Sequence, residues 1–159
     1  MVMNSPLESG QPMPEFNLDA AGSSRISSND IKGHKAVIYF YPKDDTPGCT
    51  KEAIAFTQLK AAFEAADTKV VGISADPSQK HDKFIEKHDL DVILGSDPEL
   101  DTLKAFGVWV QKAMYGRKYF GIERSTFLID SNGNIARVWR KVRVAGHAED
   151  VLKAAETLK

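Results

Sequence analysis

The run Lys-Ala-Val-Ile-Tyr-Phe-Tyr at 35–41 constrains this chain more than any other stretch. After Lys35 it has no polar residue, so a strand made from it has no face suited to water. Such a strand is buried on both sides, which calls for a sheet covered by helices above and below. The flanking segments agree. "CTKEAIAFTQLKAAFEAA" sets Ala53, Phe56, Leu59 and Phe63 on one helical face. "KVVGISAD" reads as a second buried strand. "SQKHDKFIEKHDL" reads as an amphipathic helix with Phe84 and Ile85 inward and Ser78 as its cap. "DVILGSD" is a short strand, and "PELDTLKAFGV" a helix that Gly107 ends. "ERSTFLIDSNGNIARVWR" is a hairpin turned at Asn132-Gly133. "AEDVLKAAETLK" is a closing helix, capped with the help of His147. Ahead of these, residues 1–14 read as an irregular lead-in. "FNLDAAGSSRISSNDIKG" reads as short strands around a Gly-Ser turn, with "SSND" capping a helical turn.

The order β-α-β-α-β-α-β-β-α predicts an α/β fold, a mixed sheet with helices on both faces. Its first part is parallel through right-handed crossovers, and the final hairpin is antiparallel. No repeat or linker interrupts the pattern, so the expectation is one domain over residues 1–159. The net charge of −1 points to no nucleic-acid or anionic-membrane partner. The basic stretch "RVWRKVRV", with Arg137, Arg140, Lys141 and Arg143, lacks aromatic interleaving and reads as the solvated edge of a hairpin. No apolar run approaches a membrane span. "MVMNSPLESGQPMPEF" has no basic region followed by an apolar core, so no secretory signal is expected. There is one cysteine, Cys49. It excludes an internal disulfide and a Cys-based zinc cluster, and the expected compartment is the cytoplasm.

That cysteine sits where α/β sheets build sites, just past the carboxyl end of a strand. The segment is "YFYPKDDTPGCTKEAIAF". With Thr46 as N-cap, Pro47 takes the first helical position, where its missing N–H costs nothing. Cys49 then falls in the first turn, among unpaired amides and the positive end of the helix dipole, a setting for an anion. Gly48 removes bulk beside the sulfur. The bland alternative is a small buried hydrophobe, but the flanks are turn-forming and polar. Glu52 pairs with Arg124 or Lys51, or caps the helix start as a solvated acid. Asp44 and Asp45 read as solvated loop residues. Tyr39 and Phe40 read first as core, with either one a candidate pocket wall, and Trp109 likewise.

The segment "YFYPKDDTPGCTKEA" resembles the active-site segment of peroxiredoxins, with Pro42, Thr46 and Cys49 in their Pro-x-x-x-Thr-x-x-Cys pattern. The wording "TPGCT" is most similar to the bacterioferritin comigratory protein class, the Q-type peroxiredoxins. "VVGISAD", "FGVW" at 106–109 and "GIERSTFLIDSNG" at 121–133 extend the likeness over nearly the whole chain. The resemblance implies a thioredoxin-like fold with an N-terminal β extension and reduction of hydroperoxides by thiol attack on the O–O bond. It implies Cys49 as the peroxidatic nucleophile, Thr46 as the group that orients peroxide and sulfur, Pro42 as a shield against water, and Arg124 as the family arginine. It implies no metal and no organic cofactor, and a monomer or weak dimer.

The chain departs from that family in one respect. Members keep a second, resolving cysteine five residues on, or on the next helix; here Ile54 and Ile85 occupy those positions. The resemblance therefore implies a one-cysteine mechanism, with the sulfenic acid reset by thioredoxin, by glutathione with glutaredoxin, or by Cys49 of another copy. The competing classes are a sensor that passes oxidation to a partner protein, a Cys/His hydrolase, and a Cys-x-x-Cys oxidoreductase. The last is opposed by Cys-Thr-Lys-Glu. The hydrolase is opposed by His34, His81, His88 and His147, which read as solvated histidines without a signature.

Overall fold

A computed structural model describes residues 7–158. The first six residues of the irregular lead-in fall outside the described residues; the remainder of that lead-in is turn and coil with one bridge, Pro12 to Asn134. The strands are β1 (Asn17–Ala20), β2 (Ser24–Ser27), β3 (Lys35–Phe40), β4 (Thr68–Ser74), β5 (Ile93–Ser96), β6 (Trp109–Met114), β7 (Arg117–Ile122), β8 (Ser125–Ile129) and β9 (Ile135–Trp139). The helices are α1 (Ser28–Ile31), α2 (Pro47–Gln58), α3 (Lys60–Ala65), α4 (Ser78–His88), α5 (Asp101–Ala105) and α6 (His147–Thr157). Seven strands form the main sheet in the order β2-β1-β5-β4-β3-β8-β9. β3, β4 and β5 run parallel, and β1, β8 and β9 close the two sides antiparallel. This is the mixed α/β sheet expected, with β1 and β2 as its N-terminal extension.

β3 is the axis, and it explains its own composition. Alternate side chains point to opposite faces. Val37, Tyr39 and Tyr41 enter a core with Phe56, Phe63, Phe84 and Val151, supplied by α2, α3, α4 and α6. Ala36, Ile38 and Phe40 enter a second core with Ile31, Leu103, Phe106 and Phe127. Neither face meets water, so the run has no polar positions. Tyr39 stacks on Phe56 at 4.7 Å between ring centroids, fixing α2 over the sheet.

Four local expectations change. The helix expected over 49–66 breaks at Leu59 (φ −97°, ψ 8°) into α2 and α3. Ser78 is the first residue of α4 rather than its cap; Pro77 holds the cap position. His147 likewise begins α6, whose cap is Gly146, and its ring is buried rather than capping. The hairpin β6–β7 was not expected. It forms its own two-stranded sheet through a two-residue turn, Tyr115 (φ 51°) and Gly116 (φ 78°). Most of its residues face solvent, so it carries no alternating pattern, and Tyr-Gly is a weaker turn signal than Asn-Gly. The capping box at Ser27 and Asp30 agrees with the reading of "SSND". Arg137 lies over the Trp139 ring, and Arg140 bonds Glu123 and the Gly107 carbonyl, so two of the cations in "RVWRKVRV" are engaged within the fold. No helix among the described residues is long and apolar enough to cross a membrane.

Gly72 on β4 is required by close approach. A Cβ there would lie 2.6 Å from Tyr39 Cζ and 2.9 Å from Leu94 Cδ2. Gly72→Ala should therefore lower unfolding free energy by about 2 kcal/mol, measured by urea denaturation. An unchanged midpoint would show that the Tyr39–Phe56 stack has room to shift.

Candidate active site

Thr46 is the residue before α2 and holds an extended conformation (φ −96°, ψ 155°), with Pro47 in the first turn. Thr50 N–H bonds the Thr46 carbonyl at 2.8 Å, closing the first helical turn. Gly48 and Cys49 thus fall among the first-turn amides that have no i−4 carbonyl within the helix. The Thr46 side chain does not cap the helix; its hydroxyl donates to the Lys43 carbonyl at 2.8 Å.

Cys49 is 1% exposed and belongs to the apolar cluster beneath α2. Burial alone would suit an inert thiol, but its polar neighbour does not. Arg124 Nη2 donates to Cys49 Sγ at 3.3 Å, and Nη1 donates to Glu52 Oε1 at 2.6 Å. One guanidinium thus ties sulfur and carboxylate together from across the sheet. Among the described residues Arg124 is the only side-chain hydrogen-bond partner of that sulfur, and no histidine reaches it. A Cβ on Gly48 would meet Arg124 Nη2 at 3.2 Å, so the glycine's missing bulk makes room for the arginine. Of the sequence alternatives for Glu52, the pairing with Arg124 is the one found. Lys51 is exposed beside it.

The electrostatics follow from burial. Burial pushes the Glu52 carboxyl up to about 7, only partly opposed by Arg124. Its second oxygen, Oε2, is buried without a partner, which agrees with a group poorly compensated as an anion. Burial also acts against the Arg124 guanidinium, but Glu52 and Cys49 outweigh it and hold the group above its ordinary value. The Tyr39 hydroxyl is buried and unpartnered; burial, then Glu52 and Cys49, hold it well above the usual phenol. Burial pushes His147 down to about 4, a neutral ring whose Nε2 meets Thr126 Oγ1 at 2.8 Å.

Cys49, Arg124 and Glu52 are therefore in contact, and Thr46 lies one turn earlier. Pro42 follows β3 and is exposed, while Cys49 is buried. Phe40 is core, and Trp109 is half-buried against the same core. Tyr39 lies in the cluster that holds Cys49. Three sequence readings are corrected, the first being His147, read as solvated but buried at the start of α6. Asp44 is buried rather than solvated, while Asp45 is exposed as expected. His81 is completely buried on the inner face of α4, against Asp44. The spacing 81, 84, 85, 88 carried that signal, because it sets His81 on the face of Phe84. Nothing in the loop sequence marked Asp44. An apolar groove bounded by Phe56, Lys60, Phe63 and Val92 lies toward the other end of α2, away from the thiol.

Comparison with known proteins supplies independent information. The AhpC/TSA family model matches residues 9–138. Peroxiredoxin Bcp of Bacillus subtilis is 44% identical over 153 residues, 96% of each chain. A putative peroxiredoxin bcp of Coxiella burnetii is 45% identical over 146 residues, 92% of this chain and 97% of the relative. The bacterioferritin comigratory protein of Xanthomonas campestris, whose structures are described for alkyl peroxide reduction, superposes with a TM-score of 0.88. It is 40% identical, over 94% of this chain and 98% of its own.

The raised Glu52 group makes stability depend on pH. An acid with a folded value above its unfolded one holds its proton better when folded, so its contribution is lost as pH rises through both values. Stability should fall between about 4.5 and 7 relative to Glu52→Gln, by up to about 3 kcal/mol. Parallel stability–pH curves for parent and variant would contradict this.

Proposed function

The chain belongs to the AhpC/TSA family, as a thiol-dependent peroxidase among its Bcp and Q-type peroxiredoxins, and from that premise we propose that it works by a one-cysteine mechanism centred on Cys49. The observation that carries this reading is Arg124, which donates to Cys49 Sγ at 3.3 Å while anchored on Glu52 at 2.6 Å. A guanidinium beside the sulfur attracts its anionic form. It also offers further N–H donors to the peroxide oxygen on which charge develops.

The thiolate sulfur attacks one oxygen of the hydroperoxide. An S–O bond forms as the O–O bond breaks, and the bonding pair leaves with the other oxygen, which takes a proton. The sulfur loses two electrons, the peroxide gains them, and the products are water or an alcohol and Cys49 sulfenic acid. The Thr46 hydroxyl already donates to the Lys43 carbonyl, so its oxygen is free to accept a hydrogen bond from the peroxide O–H and orient the attack. Pro42, exposed on the same loop, bounds the approach. Hydrogen peroxide and organic hydroperoxides both fit this chemistry, and the alkyl peroxide activity of the Xanthomonas relative supports the organic branch.

Cys49 is the only cysteine, so the reset comes from outside. An external thiol attacks the sulfenic sulfur, forms a mixed disulfide and releases water. A second thiol attacks the mixed disulfide, leaves as the reductant's own disulfide and returns the Cys49 thiol. Thioredoxin, or glutathione with glutaredoxin, supplies those thiols. Ile54 and Ile85, at the positions of a resolving cysteine, are half-buried against the core below α2. The reading places its action in the cytoplasm, where glutathione and thioredoxin are kept reduced.

Sulfenate trapping after a peroxide pulse tests the roles. Cys49→Ser should trap nothing. Thr46→Val and Arg124→Ala should each slow trapping by more than about tenfold. Parent-like rates in either variant would remove that residue from the mechanism.

A further inference from the structure

We propose that the β6–β7 hairpin is a docking surface for the protein reductant of Cys49, a thiol protein whose face around its own reactive sulfur is apolar and acidic. The inference rests on the external reset described above.

Among the described residues the exposed large hydrophobic side chains are Met114, Tyr115, Tyr119 and Phe120, and all four stand on this hairpin. Tyr115, at the turn, is 97% exposed, and Phe120 is 59% exposed. Neither core of the main sheet includes them, so they stabilise nothing in the fold. Clustered apolar exposure of this kind marks an interaction surface. The charge is equally one-sided. Residues 109–122 hold Lys112, Arg117 and Lys118 and no acid, in a chain whose net charge is −1. Lys112 Nζ is committed to the Ile122 carbonyl. Arg117 and Lys118 are exposed, and among the described residues neither meets a carboxylate. The register sets apolar and cationic groups side by side, with Met114 opposite Arg117 and Lys112 opposite Tyr119. Tyr119 and Lys112 fold back over Gly121, where a Cβ would meet Tyr119 Cε2 at 3.5 Å and Lys112 Cδ at 3.6 Å. The groups left to a partner are Met114, Tyr115, Phe120, Arg117 and Lys118.

The root of the hairpin is fixed beside the reacting groups. Ile122, its last residue, is buried in the core of Phe40 and Phe106, and Glu123 N–H donates to the Val108 carbonyl at 2.8 Å. Arg124, which holds the sulfur, follows two residues after Ile122. From Phe120 to Arg124 the backbone spans at most about 14 Å. Each strand has six residues, which makes a ribbon about 20 Å long. A small thiol at Cys49 has no use for such a ribbon, whereas a protein thiol at the same sulfur is large enough to rest on it.

The chemistry of the ribbon selects its occupant. Aromatic, Met and Arg side chains are those enriched in protein interfaces, and three cations without an acid call for an acidic face. β6 and β7 pair only with each other, so both outer edges of the ribbon keep backbone groups without a ladder partner. A protein can bond those groups; the hydrocarbon of a bilayer cannot. A second copy meeting hairpin to hairpin would set cation against cation.

Stopped flow on the preformed Cys49 sulfenate tests this with three reductants: reduced thioredoxin, reduced glutaredoxin and dithiothreitol. Tyr115→Asn with Phe120→Ser removes the apolar groups, and Asn-Gly favours the existing turn. Arg117→Glu with Lys118→Glu reverses the charge. For whichever protein reduces the parent faster, each pair of changes should slow reduction about tenfold, while reduction by dithiothreitol and oxidation by peroxide stay within about twofold of the parent. The parent's rate with that protein should fall as salt rises, and the glutamate pair should lose that dependence. Protein reduction at the parent rate in either pair, or an equal loss with dithiothreitol, would overturn the docking surface alone. So would a parent that neither protein reduces faster than dithiothreitol at equal thiol concentration, or hairpin-dependent binding of the chain to phosphatidylglycerol vesicles. A parent that forms no sulfenate would sink the one-cysteine mechanism beneath it.

Discussion

One guanidinium, shared between the buried Glu52 carboxylate and the Cys49 sulfur, is the contact on which the site depends. The topology makes it possible. β3 ends at the loop that leads into α2, so Cys49 sits above the carboxyl end of that strand. β8 runs antiparallel to β3, with Ser125 opposite Phe40. Its first residues therefore lie beside the last residues of β3, and Arg124, just ahead of β8, reaches a sulfur 75 residues away in sequence. The same face supplies Tyr39, whose stack on Phe56 sets the height of α2 above the sheet. The sheet thus does for Arg124 what sequence neighbours cannot.

The arrangement carries costs that point to function. Glu52 Oε2 and the Tyr39 hydroxyl are buried without partners, and buried polar groups are usually bonded. Both belong to the surroundings of the thiol, and Glu52 titrates near 7 because of burial. A core built for stability alone has no use for a half-compensated acid, an arginine and a thiol together. A reactive sulfur does, because the same dry surroundings strengthen each charge–charge contact with the reacting atoms.

Much of this was legible in the sequence, for identifiable reasons. β3 announced itself because both its faces are apolar, and the Thr-Pro-Gly-Cys turn announced the start of α2 because cap chemistry is local. The motif brought Cys49, Thr46, Pro42 and Arg124 to attention, and the structure brings Cys49 and Arg124 into contact. What escaped depends on the tertiary fold. Asp44 lies in a loop, where no periodicity predicts burial. His81 did have a helical signal, but its partner became visible only when α4 packed against the loop. The β6–β7 hairpin has mostly exposed residues on both strands, so its pattern is weak. Pro42 was legible as a motif position but not as an exposed one.

In the one-cysteine mechanism proposed above, the lone thiol makes the chain dependent on an outside reductant. The most direct test is the stoichiometry of peroxide consumed per chain, measured with and without added thiol. The account predicts that consumption stops near one equivalent without thiol and continues for many turnovers once thioredoxin or glutathione with glutaredoxin is present. Sustained turnover without any thiol, or arrest at one equivalent in the presence of both reductant systems, would contradict it.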